Sequence, residues 1–382
     1  MDYTYFLSDT VKRRSPSGVG KFGKLAYMNP KIINFTGGLP NAKTFPFSEM
    51  TLTMTDGQIL KIDPVMMAEC LQYGFPQGYK PLLDQVRALI QRVHNPPRTN
   101  DTDVVIIPGS QFGLNKVFEM LVNPNDIVLV PEPCYSGTFS AVLYTNPSGS
   151  NPDGIVWSDA RRRRVYDLAC KYDFLILEDD PYYFLQFEEE FPPSFLQLDR
   201  DGRVIRIETF SKVIGAGLRI GYAIGPIPLI EVLTVQVQGV VNHVSNVSQA
   251  CVSEMLRTVG IGGFLEKVKK TQKFYKAQRD TLMKAAEKYL TGLCEWTIPA
   301  GGFYLWLKRH IFGIFHKVLS LPNTSDMILK RGIKRGFLAI PGCAYNVRET
   351  PSSYLRLSYA MGNEKYMEEV SLAGKEDRNL GA

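Results

Sequence analysis

Lys212 stands in the stretch of the sequence whose residue types are best suited to chemistry. It follows the apolar segment Val204–Ile207 after a Ser/Thr-rich turn, and a glycine-spaced loop with Arg219 comes next. A lysine at a strand end can lose its proton and form an imine with an aldehyde. The hydroxyl of Ser211 and the cation of Arg219 suit a phosphate group. The stretch predicts a Schiff-base site for pyridoxal phosphate, although Ser-Lys alone is more typical of a solvated surface lysine.

A phosphate site is also indicated by the residues after the predicted strand Val104–Ile107. Ser110 and Gln111 follow this strand at the start of a predicted helix. Free backbone N–H groups at such a position bind phosphate, and the carboxyl ends of parallel strands are where cofactors bind in open α/β sheets. A Gly-Ser turn before a helix is common, so this assignment depends on the rest of the site.

Two further strand ends carry side chains that suit a planar ring. Tyr135 follows the predicted strand Ile127–Val130 and is placed to stack on the ring, with a core aromatic as an equally good interpretation of the residue alone. Asn151 follows Val142–Thr145, where its amide suits a phenolic oxygen, although Asn-Pro is also an ordinary turn signal.

An acidic run, Glu178-Asp-Asp-Pro-Tyr-Tyr183, follows the predicted strand Phe174–Leu177. An acid at this position can pair with a protonated pyridine nitrogen, which makes the ring an electron sink. We choose Asp180 with Tyr183 for this role. Spacing alone does not exclude Asp179 from this role. The alternative without a cofactor is that the acid only caps a helix.

Arg356 lies on a segment in which apolar and other residues alternate, so its neighbours Leu355 and Leu357 face the opposite side. An arginine on such a strand needs a partner. A substrate carboxylate held by two parallel hydrogen bonds is one, and a structural ion pair is the other.

Composition and element order predict an α/β fold. The chain has 382 residues, 45% of them hydrophobic and 21% charged, which is enough for two domains. From about residue 75 to 225, apolar strands alternate with helical stretches, which indicates a doubly wound, mainly parallel sheet. From Trp296 onward, short strands mixed with helices indicate a smaller α+β domain. We expect an arm and part of the small domain over 1–50, a large domain over 51–280 and a C-terminal small domain over 281–382.

Charge and cysteine usage exclude several other classes. The net charge is +6, and the dense block Arg161–Arg164 is interpreted as the exposed face near the start of an amphipathic helix rather than as a nucleic-acid site. Six widely separated cysteines and four histidines form no metal-ligand pattern, which favours a reducing compartment and no metal. No apolar run reaches membrane-spanning length, and the N-terminus resembles neither a secretory signal nor a good transit peptide.

The segments along the chain also form a recognisable series. In order they are Gly37-Gly-Leu-Pro, Tyr73-Gly, Gly109-Ser-Gln, Glu132-Pro-Cys-Tyr135, Asn151-Pro-Asp-Gly, Asp179-Asp-Pro-Tyr-Tyr, Ser211-Lys212 and Arg219-Ile-Gly. Over nearly the whole chain this series resembles the class I/II aminotransferases of fold type I, which use pyridoxal phosphate. It is most similar to the kynurenine/alpha-aminoadipate branch and to the aromatic aminotransferases of fungi.

The resemblance implies a role for each site residue. Lys212 would carry the cofactor and shuttle a proton, and Arg356 would bind the substrate α-carboxylate, with Gly38 and Leu39 over the active site. The cofactor would be held by Asp180 at the pyridine nitrogen, Asn151 and Tyr183 at the phenolic oxygen, Tyr135 on the ring, and Ser110, Gln111, Ser211 and Arg219 at the phosphate. A homodimer is also implied, with Tyr73 reaching the neighbouring subunit's phosphate site.

Two features depart from the family pattern. Tyr135 and Asn151 are only 16 positions apart, where the family has a segment several times longer with another strand and helix. Loss of that edge strand, between Phe139 and Val142, would expose a new sheet edge and suggests a spliced or mis-predicted product or an omitted segment. The basic residue of the family's N-terminal arm has no firm counterpart, and Lys21 is the nearest substitute.

The expected function is transfer of an amino group from an L-amino acid of the kynurenine, 2-aminoadipate or aromatic type to a 2-oxo acid such as 2-oxoglutarate. The alternatives are a catalytically impaired homologue without the edge strand and a pyridoxal-phosphate lyase or decarboxylase on the same fold. We expect small-molecule substrates and a second copy as partners, with no nucleic acid and no membrane. The compartment would be the mitochondrial matrix or the cytosol.

Overall fold

The computed structural model describes residues 1–14, 39–133, 142–310, 323–336, 338–347 and 350–361. Within these ranges the chain forms three sheets. Their strands are β1 Met50–Thr53, β2 Ile59–Ile62, β3 Thr102–Ile107, β4 Leu143–Thr145, β5 Ile176–Asp179, β6 Val204–Thr209, β7 Gly221–Pro226, β8 Cys294–Trp296, β9 Tyr304–Arg309, β10 Ile340–Pro341 and β11 Tyr354–Ser358. The first two strands form an antiparallel pair.

The α-helices cover much of the remaining described chain. They are α1 Asp9–Lys12, α2 Pro64–Cys70, α3 Lys80–Val93, α4 Ser110–Leu121, α5 Asp159–Tyr172, α6 Phe195–Leu198, α7 Ile227–Val241, α8 Asn246–Leu290 and α9 Thr324–Met327. In α8 the backbone leaves helical geometry at Gly260, where φ is 67°. A glycine adopts this conformation at low cost, so the long segment divides there into two helical parts.

The main sheet has the strand order β3-β7-β6-β5-β4. Strands β4, β5 and β6 run parallel, whereas β7 is antiparallel to both of its neighbours. The side chains of β3 alternate between two apolar cores, with Val104 and Ile106 on one face and Val105 and Ile107 on the other. Strands buried on both faces read as continuous apolar runs, which is why the sequence pattern located them. The mainly parallel α/β fold expected from the sequence is confirmed.

The edge of this sheet differs from the prediction at Ile127–Val130. Only Leu129 forms an isolated parallel bridge with Leu143 of β4. Ile127 is 79% exposed and Leu129 is 50% exposed. A short segment that pairs on one side and has little cover gains too little from burial to form a full strand. The predicted strand is therefore reduced to one bridge beside β4.

The other large sheet is antiparallel throughout, in the order β10-β11-β9-β8. One face of it is apolar, where Leu305, Leu307, Leu355 and Leu357 are buried in a core shared with α8. The opposite face carries Arg356. The prediction that Arg356 points away from its two leucine neighbours is confirmed.

The Arg161–Arg164 block begins the amphipathic helix α5, as expected, with Ser158 accepting from the Arg161 N–H as the N-cap. One arginine of the block is not exposed. Arg162 is fully buried and donates to the backbone oxygens of Trp157 and Pro147, each at 3.0 Å. The prediction of an exposed face is wrong for Arg162, because this side chain satisfies buried carbonyl groups instead of facing water.

Candidate active site

Lys212 ends a short turn that follows β6. The Thr209 hydroxyl accepts from the backbone N–H of Ser211 at 3.1 Å and lies 2.8 Å from the Ser211 hydroxyl. These contacts hold the turn and leave the lysine half-buried. Its Nζ lies 5.8 Å from the ring centre of Tyr182 and 5.7 Å from that of Phe303. The amine therefore lies beside two aromatic rings and is only partly exposed to solvent.

Asp179, the last residue of β5, is a buried acid whose charge environment includes Lys212. Its Oδ2 accepts from the Tyr144 hydroxyl at 3.0 Å, and its backbone oxygen accepts from Asn146 Nδ2 at 2.9 Å. Its Oδ1 has no hydrogen-bond partner among the described residues. Burial raises the pKa of Asp179 to about 7, against the lowering effects of these two neighbours and of the Arg206 and Lys212 charges. A buried carboxylate with one free oxygen suits a cationic ring nitrogen.

Asp180 and Tyr183, which the sequence favoured, face a different environment. Asp180 Oδ2 accepts from the Ser148 hydroxyl at 2.8 Å and from Arg206 Nη1 at 3.1 Å. The Tyr183 ring lies 4.7 Å from the Arg206 guanidinium carbon and 4.6 Å from the ring centre of His94. Adjacent residues along a strand face opposite sides of a sheet, so the choice between the two acids depends on which side each carboxylate faces. Asp180 Oδ1 also has no partner among the described residues, but its other oxygen is already paired with Arg206. Asp179 and Tyr182 are the pair that lies near Lys212, so these contacts favour them over Asp180 and Tyr183.

Arg206 is the centre of a buried ion-pair network next to the site. Its guanidinium contacts Glu178 at 2.8 Å and Glu208 at 2.5 Å, in addition to Asp180. Glu208 also accepts from the Tyr222 hydroxyl at 2.6 Å and lies 2.7 Å from His94 Nε2. Although burial raises the pKa of Glu208, the Arg206 and His94 contacts bring it down to about 2. Removing one member would leave a buried charge with fewer partners, which is destabilising.

Three of the predicted phosphate-binding residues lie at the start of α4: Ser110 and Gln111 in its first turn, and Arg219 beside it. This helix begins at Ser110, and Gly109 precedes it with a φ of 87°. A Cβ atom at Gly109 would lie 2.2 Å from Arg219 Nη2, so only glycine lets the guanidinium approach the helix N-terminus this closely. Arg219 Nη1 donates to the backbone oxygen of Ala216 at 3.1 Å. A cation beside free helical N–H groups forms an anion site.

Arg356 lies on the polar face of β11 and reaches the loop after β4. Its Nη1 donates to Asn151 Oδ1 at 2.8 Å, and its guanidinium carbon lies 4.0 Å from the ring centre of Tyr304. Its Nε has no hydrogen-bond partner among the described residues. The Tyr182 hydroxyl lies 3.3 Å from the Tyr304 hydroxyl. Through these two rings the environments of Lys212 and Arg356 are contiguous.

The remaining predicted residues are less informative. Tyr135, Gly38 and Lys21 lie outside the described residues, and Leu39 is exposed. Tyr73 is 60% exposed, and its ring centre lies 6.1 Å from that of His243, with the two rings nearly perpendicular. No cluster of His, Cys, Asp or Glu that could hold a metal occurs in the described ranges. In those ranges no helix has both the length and the apolar character needed to cross a membrane.

Sequence reasoning missed several residues of the site. Tyr144 and Asn146 contact Asp179, Ser148 contacts Asp180, and Tyr304 links Tyr182 with Arg356. The first three stand at or just after the end of β4. A signal was present, since β4 is a neighbour of β5 in a parallel sheet and its carboxyl end lies at the same edge.

Comparison with known proteins decides the family. The model of the family described as aminotransferase class I and II matches residues 138–371, more than half of the chain. A kynurenine/alpha-aminoadipate aminotransferase of Bos taurus, named as mitochondrial, is 38% identical over 420 residues, which cover 96% of this chain and 97% of that protein. The chain belongs to the class I and II aminotransferases. It is a pyridoxal-phosphate-dependent transaminase acting on small-molecule amino acids.

Solved structures agree with the fold of this aminotransferase. An aminotransferase from Candida albicans has a TM-score of 0.89 at 24% identity, with 99% of each chain covered. The Pyrococcus horikoshii kynurenine aminotransferase has a TM-score of 0.73 at 27% identity, covering 100% of this chain and 99% of that chain. The bovine alignment runs over 420 positions yet covers 96% of this 382-residue chain. Roughly fifty of its positions therefore have no counterpart here.

The described residues fit pyridoxal phosphate. Asp179 offers a buried oxygen without a partner among the described residues, as a ring nitrogen requires. The start of α4 with Arg219 offers an anion site, in which a Cβ at Gly109 would displace the guanidinium. Lys212 stands at the end of β6, with an amine able to bond an aldehyde. The site thus offers an acceptor for the ring nitrogen, donors for the phosphate and a nucleophile for the aldehyde.

Proposed function

We propose that this aminotransferase takes its amino group from an L-amino acid with an aromatic or 2-aminoadipate-type side chain and passes it to a 2-oxo acid such as 2-oxoglutarate. The observation that carries the proposal is the contiguity of Lys212, Tyr182, Tyr304 and Arg356. An arginine with a free Nε suits an α-carboxylate, and the aromatic rings between it and the lysine suit an apolar or aromatic substrate. The bovine relative named for kynurenine and alpha-aminoadipate supports the same substrate classes.

The roles of the cofactor-binding residues are part of the proposal. Asp179 pairs with the pyridine nitrogen, replacing Asp180, and Tyr182 replaces Tyr183 at the phenolic oxygen. Asn151 also serves that oxygen through its amide N–H, since its Oδ1 already accepts from Arg356. The phosphate is held by Ser110, Gln111, Ser211 and Arg219, the ring is covered by Tyr135, and Tyr73 of each subunit completes the phosphate site of the other in a homodimer.

Each residue of the site has its own role in the reaction. When bound, pyridoxal phosphate supplies an electron sink for the bonds at the substrate α-carbon. Arg356 binds the α-carboxylate and thereby orients the α-carbon toward Lys212. Once the substrate amine has replaced it at the aldehyde, Lys212 Nζ would be free to take the α-proton, and Asp179 would hold the proton on the ring nitrogen. Water releases the 2-oxo acid, and the second 2-oxo acid uses the same contacts in reverse.

We also propose the division into an arm over 1–50, a large domain over 51–280 and a small domain over 281–382. It is supported by the two separate sheets and by the apolar core that α8 shares with β9 and β11. A mitochondrial or cytosolic location is proposed from the relatives named as mitochondrial. Neither alternative function is favoured, because the relatives that cover 96% and 97% of this chain are named as aminotransferases.

A donor screen with 2-oxoglutarate tests the proposed function. L-Kynurenine, L-2-aminoadipate, L-phenylalanine and L-aspartate would be supplied separately, and both the 2-oxo acid and the glutamate formed would be measured. Glutamate should form with the first three donors and much more slowly with aspartate. Lys212→Ala is the control for background reaction. Release of a 2-oxo acid or an amine without glutamate would indicate a lyase or decarboxylase, and no product from any donor would contradict the proposal.

A further inference from the structure

The two carboxylate oxygens of Asp179 have different surroundings. Oδ2 accepts from the Tyr144 hydroxyl at 3.0 Å, whereas Oδ1 is buried and has no partner among the described residues. Tyr144 is 1% exposed and lies on β4, where it is in register with Leu177 of the neighbouring β5. Because both residues are held by parallel strands, the hydroxyl fixes which oxygen is occupied and which is left for a ligand.

We propose that Tyr144 is a positioning residue of the transamination reaction, whose hydroxyl orients the Asp179 carboxylate and keeps it ionised so that Oδ1 can bind the cofactor ring nitrogen. The inference rests on the proposed role of Asp179. Tyr144 does not act on substrate directly. It acts through the acid, as residues that support a functional group commonly do.

Several charged and polar groups face Asp179 and set its ionisation. Burial raises its pKa to about 7, and the Tyr144 hydrogen bond is the first of the contacts that lower it. Asn146, from the same side of the sheet edge, and the charges of Arg206 on β6 and Lys212 after it also lower the pKa. Tyr182 and Asp180 follow it in the chain. Loss of the Tyr144 hydroxyl removes one stabilising contact to the anion, so the pKa of Asp179 rises and less of the acid is ionised at neutral pH.

Tyr144→Phe in the holoenzyme tests the proposal, since it removes the hydroxyl and keeps the ring. We expect kcat/KM at pH 7 to fall roughly ten-fold or more, as for loss of a hydrogen bond to a charged group. We expect the acid-side midpoint of the kcat/KM pH profile to move to higher pH, with part of the activity recovered at pH 9. Tyr166→Phe is the matched control, because Tyr166 is also buried and its hydroxyl also donates to a carboxylate, Asp199, at 3.0 Å.

The outcomes separate positioning from structure. A loss of activity that is equal at every pH, accompanied by the same decrease in Tm as in Tyr166→Phe, would overturn the proposal in favour of a structural role. Wild-type activity and an unchanged pH profile in Tyr144→Phe would overturn it as well. Asp179→Asn tests the assumption that Asp179 binds the ring nitrogen. If Asp179→Asn keeps wild-type activity, the proposed role of Asp179 fails. If it is inactive while Tyr144→Phe is normal, only the inference about Tyr144 fails.

Discussion

The Asn151 amide oxygen accepts a hydrogen bond from Arg356 Nη1 at 2.8 Å, across 205 positions of the sequence. Arg356, on the antiparallel sheet, is thus oriented by a residue of the loop that follows β4 of the main sheet. We expect Arg356→Ala to raise KM for amino acids and for 2-oxo acids alike, because both carry an α-carboxylate. Contacts to a charged group are worth about 1.5–3 kcal/mol, which corresponds to roughly 10- to 150-fold in KM. Steady-state kinetics with each substrate varied in turn provide the measurement.

Asn151→Ala examines the other side of this contact. It should raise both KM values by less than Arg356→Ala does, and the double variant should be less impaired than the product of the two single effects, since the residues interact directly. Arg356→Lys keeps the charge and loses the planar fork, so it is the matched control. An effect confined to one of the two substrate classes would mean that Arg356 recognises a side chain instead.

Lys212→Ala should abolish transamination while some cofactor stays bound through the contacts to its phosphate. The reason is that Lys212 provides both the covalent attachment and the proton transfer, whereas the start of α4 and Arg219 bind independently of it. Borohydride reduction of the wild-type holoenzyme followed by peptide mapping should label Lys212. A label on any other lysine would refute the assignment.

Asp179→Asn and Asp180→Asn should have opposite signatures. Asp179→Asn should lower kcat strongly with little change in Tm, because an amide cannot hold the ring nitrogen protonated. Asp180→Asn should mainly lower Tm, because it removes a charged partner of the fully buried Arg206. Rates and melting curves of the two holoenzymes compare them directly. The reverse pattern would restore Asp180 as the ring acid.

Among the described residues, only the Leu129 bridge pairs with the outer side of β4, which predicts reduced stability at this edge. Ile127 and Leu129 are exposed there, at roughly 25 cal/mol for each Å² of apolar surface left uncovered. We expect a version with a family-length segment inserted after Phe139 to melt at a higher temperature and to aggregate less. Thermal unfolding of both chains with saturating cofactor is the measurement. Equal Tm values and equal activities would show that the short segment costs this protein nothing.

The sequence predicted the strands of the main sheet because runs buried on both faces leave a continuous apolar signal, as at Val104–Ile107 of β3. It predicted Lys212 and Arg356 because each stands out from its surroundings. It could not separate Asp179 from Asp180, since adjacent acids at a strand end differ only in the face of the sheet toward which each side chain points. It also misplaced Arg162, whose partners are backbone oxygens and the Ser148 hydroxyl, which no local sequence pattern reveals.

The register of β5 determines which of the two acids at its end lies beside Tyr144. Asp179 contacts Tyr144 on one side, and Asp180 contacts Arg206 and Ser148 on the other. A slip of β5 by one residue would exchange the two faces, bringing Asp180 toward Tyr144 and leaving Arg206 without that anion. Misregistered chains would therefore keep an acid beside Tyr144 but lose the buried contact between Arg206 and Asp180, so the correct pairing of β5 and β6 is selected by this ion pair.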